Sequence, residues 1–117
     1  MSRAARSLQL FSLYLLALAI VLLVAPNVLL RLFGFPATTE VWIRIVGMLV
    51  AHIGVYYWIA SASEAVPLFR ASVLTRLTVP VFFIIFVTSG WAPWPLLLFG
   101  AVDALGALWT WRALKSA

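Results

Sequence analysis

The chain has 117 residues, of which 66% are hydrophobic and 9% are charged, and it contains no cysteine. Soluble domains have roughly 45–50% apolar and about 25% charged residues, so this composition excludes an ordinary soluble fold. The lack of cysteine excludes disulfides, thiolate nucleophiles and cysteine-based metal sites. The net charge of +5 is spread over the ends of apolar segments instead of forming one patch. This distribution argues against nucleic acid as a partner and favours the lipid bilayer with its anionic headgroups.

The first predicted transmembrane helix spans residues 8–31. A basic segment precedes it, as in a signal peptide, but the apolar run over residues 8–30 is longer than a signal h-region and fits a retained membrane helix. Pro26 falls in its last turns, where a proline bends or ends a helix because it lacks an N–H and clashes with the preceding turn.

The second predicted helix spans residues 40–61, after a connection that offers Thr38 or Thr39 as an N-cap. Glu40 and Arg44 are spaced i, i+4 near one end of this helix, which predicts an interfacial ion pair. A second face of the helix carries the small residues Gly47, Ala51 and Gly54. Small residues allow close helix packing, so this face could close the bundle or a homodimer.

The third and fourth predicted helices span residues 67–88 and 95–112. Pro67 suits the first position of a helix, and Pro80 predicts a kink within the third helix. Four apolar helices with short connections predict an all-α, membrane-embedded antiparallel four-helix bundle with up-down-up-down topology. The whole chain, residues 1–117, would then form a single transmembrane domain.

The orientation in the membrane follows from the basic residues. One predicted side holds five of them, and the other holds only Arg31 and Arg44. The positive-inside rule therefore places both termini in the cytoplasm. The six tryptophans divide three and three between the two predicted interfaces, as in an aromatic belt.

A polar cluster within the membrane is the candidate functional site. His52, Arg76 and Asp103 each lie nine positions from the predicted cytoplasmic end of their helix, which is about 13–14 Å at 1.5 Å per residue. An unpaired charge at that depth costs about 2.5–3.5 kcal/mol or more. We therefore expect an ion pair between Arg76 and Asp103, with His52 close by. The cluster is interpreted either as a structural clamp or as a polar cavity open to the cytoplasm.

Cofactors and catalytic groups have little support in the sequence. Haem bound through His52, the only histidine, would need a second chain, and no C-x-x-C-H motif is present. Zinc lacks a second histidine, and no nucleotide-binding or nucleophile-elbow motif occurs. We expect no cofactor and no metal, and we assign no catalytic residue.

Several stretches of the sequence point to a known group: PNVLLRLFGFP, WIRIVGM, Arg76 within VLTRL, and VDALGALWTWRAL. Together they resemble a family of small bacterial four-helix integral membrane proteins without an established reaction, similar to the DoxX-like group. The resemblance covers most of the chain. It implies a four-helix fold in the bacterial inner membrane and carries over no site residue.

Two functions are compatible with these patterns. The first is an accessory or structural subunit of a membrane complex or homo-oligomer, favoured by the small-residue face and by the lack of a catalytic motif. The alternative is binding or transport of a small amphipathic molecule, such as a lipid or a quinone, at a cavity formed by His52, Arg76 and Asp103. An isomerase-type enzyme using His52 and Asp103 as acid and base is a more distant third.

Overall fold

The computed structural model describes residues 1–116, and within this range it is all-helical, with five helices and no strand. The helices are α1 (Arg3–Val24), α2 (Pro26–Leu32), α3 (Trp42–Ala62), α4 (Val66–Thr88) and α5 (Leu96–Lys115). Four of them are long and apolar enough to cross a membrane, with mean hydropathies between 1.2 and 2.4. The prediction of an all-α chain with four apolar spans is confirmed at this level.

The first predicted helix is divided in two. It starts earlier than residue 8, at Arg3, because the Ser2 hydroxyl accepts a hydrogen bond of 3.0 Å from the Ala5 N–H and caps the helix. It ends at Val24, because Ala25 leaves the helical region with φ −140° and ψ 61°. The helical conformation is disfavoured for a residue that precedes a proline, as Ala25 does. Pro26 then starts the short helix α2.

The connection between α2 and α3 is held by the Asn27 side chain. The Asn27 side chain accepts from the Thr38 N–H at 2.9 Å and donates to the Thr38 carbonyl at 3.1 Å. No side-chain cap starts α3, which begins at Trp42 instead of residue 40. Pro80 lies inside α4 and does not end it.

Helix α1 is the centre of the fold. It packs against α3 on one side and α5 on the other, and α4 packs mainly against α5. Within the apolar spans, 39% of the α1 residues are buried, against 17–22% in the other three helices. The order α3, α1, α5, α4 gives a flat molecule with extents of 44 × 29 × 18 Å. Its apolar core lies around the first half of α1, where Leu8 and Phe11 meet Tyr57 and Phe69.

The small-residue face on α3 packs within the chain. Gly47 and Gly54 are buried against α1, and a Cβ added at either position would lie 2.9–3.0 Å from Leu22 or Leu16. Ala51 is half-buried between them. This face therefore forms the α1–α3 contact and is not free for a homodimer.

Ser2 and Ser116, near the two ends of the described part of the chain, lie together. The Ser2 N–H and hydroxyl donate to the Glu64 carboxylate in the α3–α4 connection at 2.6 and 2.7 Å. Ser2, Glu64 and Ser116 line one cavity of about 280 Å³. At the opposite end, the Phe33 ring stacks on Phe99 with centroids 4.3 Å apart. The α3–α4 connection is thereby bonded to the N-terminal segment, and the start of the α2–α3 connection packs on α5.

Candidate polar site around Arg76

The site is formed by side chains from the four long helices, and those that come from one helix lie on one face of it. On α4, Ser72 and Arg76 are one turn apart, and on α5, Asp103, Gly106 and Thr110 follow each other along one face. Helix α1 contributes Ser7, Phe11 and Tyr14, and α3 contributes Tyr57. We refer to the hydrogen-bonded members Ser7, Ser72, Arg76 and Thr110 as the Arg76 network.

Arg76 is the largest polar side chain of the core, with only 2% of its surface exposed. Its Nε donates to the Ser72 carbonyl at 3.1 Å and its Nη2 to the Ser72 hydroxyl at 3.1 Å. The same Nη2 donates to the Thr110 hydroxyl on α5 at 2.9 Å. A buried guanidinium is costly without such acceptors. Of the three bonds, the one to Thr110 holds α4 against α5.

The Thr110 hydroxyl extends the network to α1. Its oxygen lies 2.7 Å from the Ser7 hydroxyl oxygen, and the Ser7 hydroxyl lies 2.7 Å from the Ala4 carbonyl. Since Ser7 donates its single proton to that carbonyl, Thr110 donates to Ser7. The chain of donors therefore runs from Arg76 through Thr110 and Ser7 to the backbone of α1.

Aromatic rings cover the guanidinium from the other direction. Its central carbon lies 4.7 Å from the centroid of the Phe11 ring and 5.9 Å from that of Tyr57. Both distances are within the range of cation–π attraction. Because Phe11 is on α1 and Tyr57 is on α3, Arg76 contacts groups from all four long helices.

One nitrogen of the guanidinium is left without a hydrogen-bond partner. Arg76 Nη1 is fully buried and has no hydrogen-bond partner. It lies beside Gly106, where an added Cβ would come within 3.1 Å of Nη1 and 2.7 Å of the Phe11 ring. A glycine is thus needed at position 106 for the guanidinium to fit between α4 and α5.

Asp103 does not form the predicted ion pair with Arg76. All hydrogen bonds of the guanidinium go to Ser72 and Thr110, and its remaining nitrogen is unpaired. The reason is the direction of the side chain: Arg76 folds back along α4 towards Ser72, as helical side chains do. Thr110 lies at that level, whereas Asp103 lies two turns away along α5, about 10 Å. Asp103 is half-buried and accepts no hydrogen bond from Arg76.

His52 does not join the cluster either. Its side chain is exposed on α3, on a different face from Gly54 and Tyr57, which are buried. Counting residues from the helix end gives depth but not rotation about the helix axis. Of the three predicted cluster residues, only Arg76 is buried, and the structure replaces the other two with the hydroxyl groups of the Arg76 network.

The predicted pair of Glu40 and Arg44 is also absent. Residue 40 precedes α3, so the two side chains do not share a helix face. The Glu40 N–H donates to the Thr38 hydroxyl at 3.1 Å, and Arg44 Nη1 donates to the carbonyl of Leu23. That carbonyl is in the last turn of α1, where the break before Pro26 leaves carbonyls without helical partners. Arg44 therefore caps α1, where a cation also suits the negative helix end.

Most hydrogen-bonding groups of this site are serine and threonine hydroxyls, which were not predicted from the sequence. Ser72 and Arg76 are spaced i, i+4, and Ser7 and Thr110 are small polar residues within apolar helices. Hydroxyl groups in such positions commonly bond between helices, and this was the available signal. Among residues 1–116, no group of three or more His, Asp or Glu side chains could hold a metal ion.

Comparison of the chain with protein-family models, with curated proteins and with solved structures finds no match.

Proposed function

We propose that the chain is a multi-pass membrane protein of the bacterial inner membrane, with its helices antiparallel and both termini in the cytoplasm. Four long apolar helices support the membrane location. The common position of Ser2 and Ser116 at one cavity supports an even number of crossings, and the excess of basic residues at that end supports its cytoplasmic side. The resemblance to the DoxX-like group adds the bacterial origin.

Within that membrane, we propose a role as an accessory or structural subunit of a larger complex or homo-oligomer. The observation that carries this proposal is that the Arg76 side chain is buried and bonded within its own chain. Its hydrogen bonds go to Ser72 and Thr110 and its faces meet Phe11 and Tyr57, so the charge ties four helices together. A clamp of this kind serves rigidity and helix register instead of chemistry.

The outer surface offers room for a neighbour. All buried residues of α4 lie in its first half, and large apolar side chains such as Phe82, Ile84 and Ile85 are exposed in its second half. Because the small-residue face of α3 is already used inside the chain, the outer face of α4 is the proposed contact with another membrane protein.

Photo-crosslinking in native membranes tests this role. A photoreactive phenylalanine analogue placed at Phe82, which is 55% exposed, should give a protein adduct of defined mass. The same analogue at Phe69, which is fully buried on the same helix, is the matched control and should give no adduct to another chain. Adducts from Phe82 to lipid alone would contradict the role as a subunit.

Binding or transport of a small amphipathic molecule, such as a lipid or quinone, is the second candidate. The unpaired Nη1 of buried Arg76 favours it, because a buried donor without an acceptor costs about 1–3 kcal/mol. A carbonyl or phosphate oxygen of a ligand would supply that acceptor, with Asp103 and Tyr14 nearby as further polar groups. In this reading His52 is outside the site, since its side chain is exposed.

A further inference from the structure

A groove between the first turns of α4 and the last turns of α5 combines positive charge with apolar walls. It has a volume of about 340 Å³, and its lining residues are Arg70, Val73, Trp111, Leu114 and Lys115. Arg70 and Val73 are three apart on α4, and the other three follow at i, i+3 and i+4 on α5. Each helix therefore presents one cation and at least one apolar side chain to the same groove.

The charge of the groove is not neutralised. Arg70 and Lys115 are both exposed, and no acidic residue lines the groove. Glu64, the acidic residue in the nearby α3–α4 connection, lines a different cavity and accepts two hydrogen bonds from Ser2. The two cations thus form an electropositive site for an anion at the end of the bundle.

The remaining groups of the groove fit the boundary between headgroups and acyl chains. The Lys115 ammonium nitrogen lies 4.3 Å from the centroid of the Trp111 ring, which limits where that cation can move. Tryptophan prefers the headgroup level of a bilayer. Val73 is buried and Leu114 is half-buried, so they offer an apolar strip next to the cations.

We propose that this groove binds an anionic phospholipid. The phosphodiester group lies between Arg70 and Lys115, and the upper part of an acyl chain lies along Val73 and Leu114. Basic pockets between transmembrane helices are a known solution for anionic headgroups. The proposal is independent of the role suggested above, because it uses none of the residues of the Arg76 network.

Native mass spectrometry with defined lipids tests the proposal on the full chain in mild detergent. Phosphatidylglycerol or cardiolipin should bind with discrete stoichiometry, and phosphatidylcholine should bind far more weakly. Removing one cation near a membrane surface should weaken binding about fivefold. The double variant Arg70→Gln/Lys115→Gln should therefore bind these lipids about 25-fold more weakly.

Arg112→Gln is the matched control, because Arg112 is an exposed cation on the same turn of α5 that does not line the groove. It should bind as wild type does, and Arg70→Lys/Lys115→Arg, which keeps both charges, should retain most of the affinity. Circular dichroism melting verifies that each variant is folded. An equal loss in Arg112→Gln, equal binding of phosphatidylcholine, or full displacement by millimolar inorganic phosphate would each overturn the proposal.

Discussion

Arg76 on α4 and Thr110 on α5 are joined by a hydrogen bond of 2.9 Å between Nη2 and the hydroxyl oxygen. Both side chains are buried, with 2% and 0% of their surfaces exposed. The bond crosses between two helices and is continued by Thr110 to Ser7 on α1. It is therefore the contact through which a single charge connects three helices, and the stability of the bundle should depend on it.

Thr110→Val tests this bond with almost no change in side-chain volume. The variant removes an acceptor from Arg76 and a donor to Ser7, and leaving buried polar groups unpaired should lower the free energy of unfolding by about 1–3 kcal/mol. Unfolding in mixed detergent, followed by circular dichroism, gives the value. Thr78→Val is the control, because the Thr78 hydroxyl is exposed and bonds only within α4, to the Thr75 carbonyl. Equal effects of the two substitutions would contradict the clamp.

The substitution Asp103→Asn tests whether Arg76 is stabilised by the observed network or by the expected ion pair. If Asp103 neutralised Arg76 directly, removing its charge would cost about 3–5 kcal/mol, as for other broken buried pairs. Since the guanidinium bonds to Ser72 and Thr110 instead, we expect a smaller loss than for Thr110→Val. The same unfolding assay compares the two variants, and a larger loss for Asp103→Asn would restore the ion pair.

Arg44→Met should destabilise the end of α1. The substitution removes the hydrogen bond to the Leu23 carbonyl, and we expect a loss of about 0.5–1.5 kcal/mol. Glu40→Gln should have almost no effect, because Glu40 precedes α3 and does not pair with Arg44. A double-mutant cycle measures the coupling of the two residues, which should be near zero. A clear coupling energy would support the interfacial ion pair instead.

Acid should release the N-terminus from the α3–α4 connection. The hydrogen bonds from the Ser2 backbone N–H and then from its hydroxyl hold the pKa of Glu64 below its ordinary value of 4.5. A lowered pKa means that the folded state prefers the ionised carboxylate, so this stabilisation is fully present above pH 4.5 and is lost as the pH falls through the folded pKa. The protection of the amides in the first turn of α1, measured as their exchange rate relative to the intrinsic rate at each pH, should therefore fall in acid.

Glu64→Gln is the control for this pH dependence. The amide side chain cannot titrate, so the loss of protection in acid should disappear in the variant. Retention of the wild-type pH profile in Glu64→Gln would assign the effect to another group.

The fold was largely predictable from the sequence, because four long apolar runs bounded by Gly, Pro and Ser determine where the helices lie. The helix ends were less predictable: Ser2 caps α1 earlier than the apolar run begins, and Ala25 before Pro26 divides the helix. The helix ends depend on capping hydrogen bonds and on a proline. The pattern of hydrophobic residues does not indicate either of them.

The candidate site was predictable only in part. Arg76 stands out as a charge within an apolar helix, and it is the centre of the observed network. The partners of Arg76 were not predictable from depth along the helices. Depth does not fix the rotation of a helix about its axis, and the rotation of α3 exposes His52. Depth also does not fix the direction of a long side chain, and Arg76 points towards Ser72 and away from Asp103. The hydroxyl groups of Ser72 and Thr110 accept from Nη2 in place of the expected carboxylate, and Nη1 stays without a partner.

Native mass spectrometry from lipid nanodiscs tests the proposed role as a subunit most directly. The Arg70→Gln/Lys115→Gln variant is used so that groove lipids do not obscure the result, since it should bind them about 25-fold more weakly. We expect the mass of the chain together with another protein or further copies of itself, in fixed stoichiometry and without a small molecule. A single chain that carries one small molecule, and loses it in Asp103→Asn, would contradict the account and establish a ligand site beside Arg76.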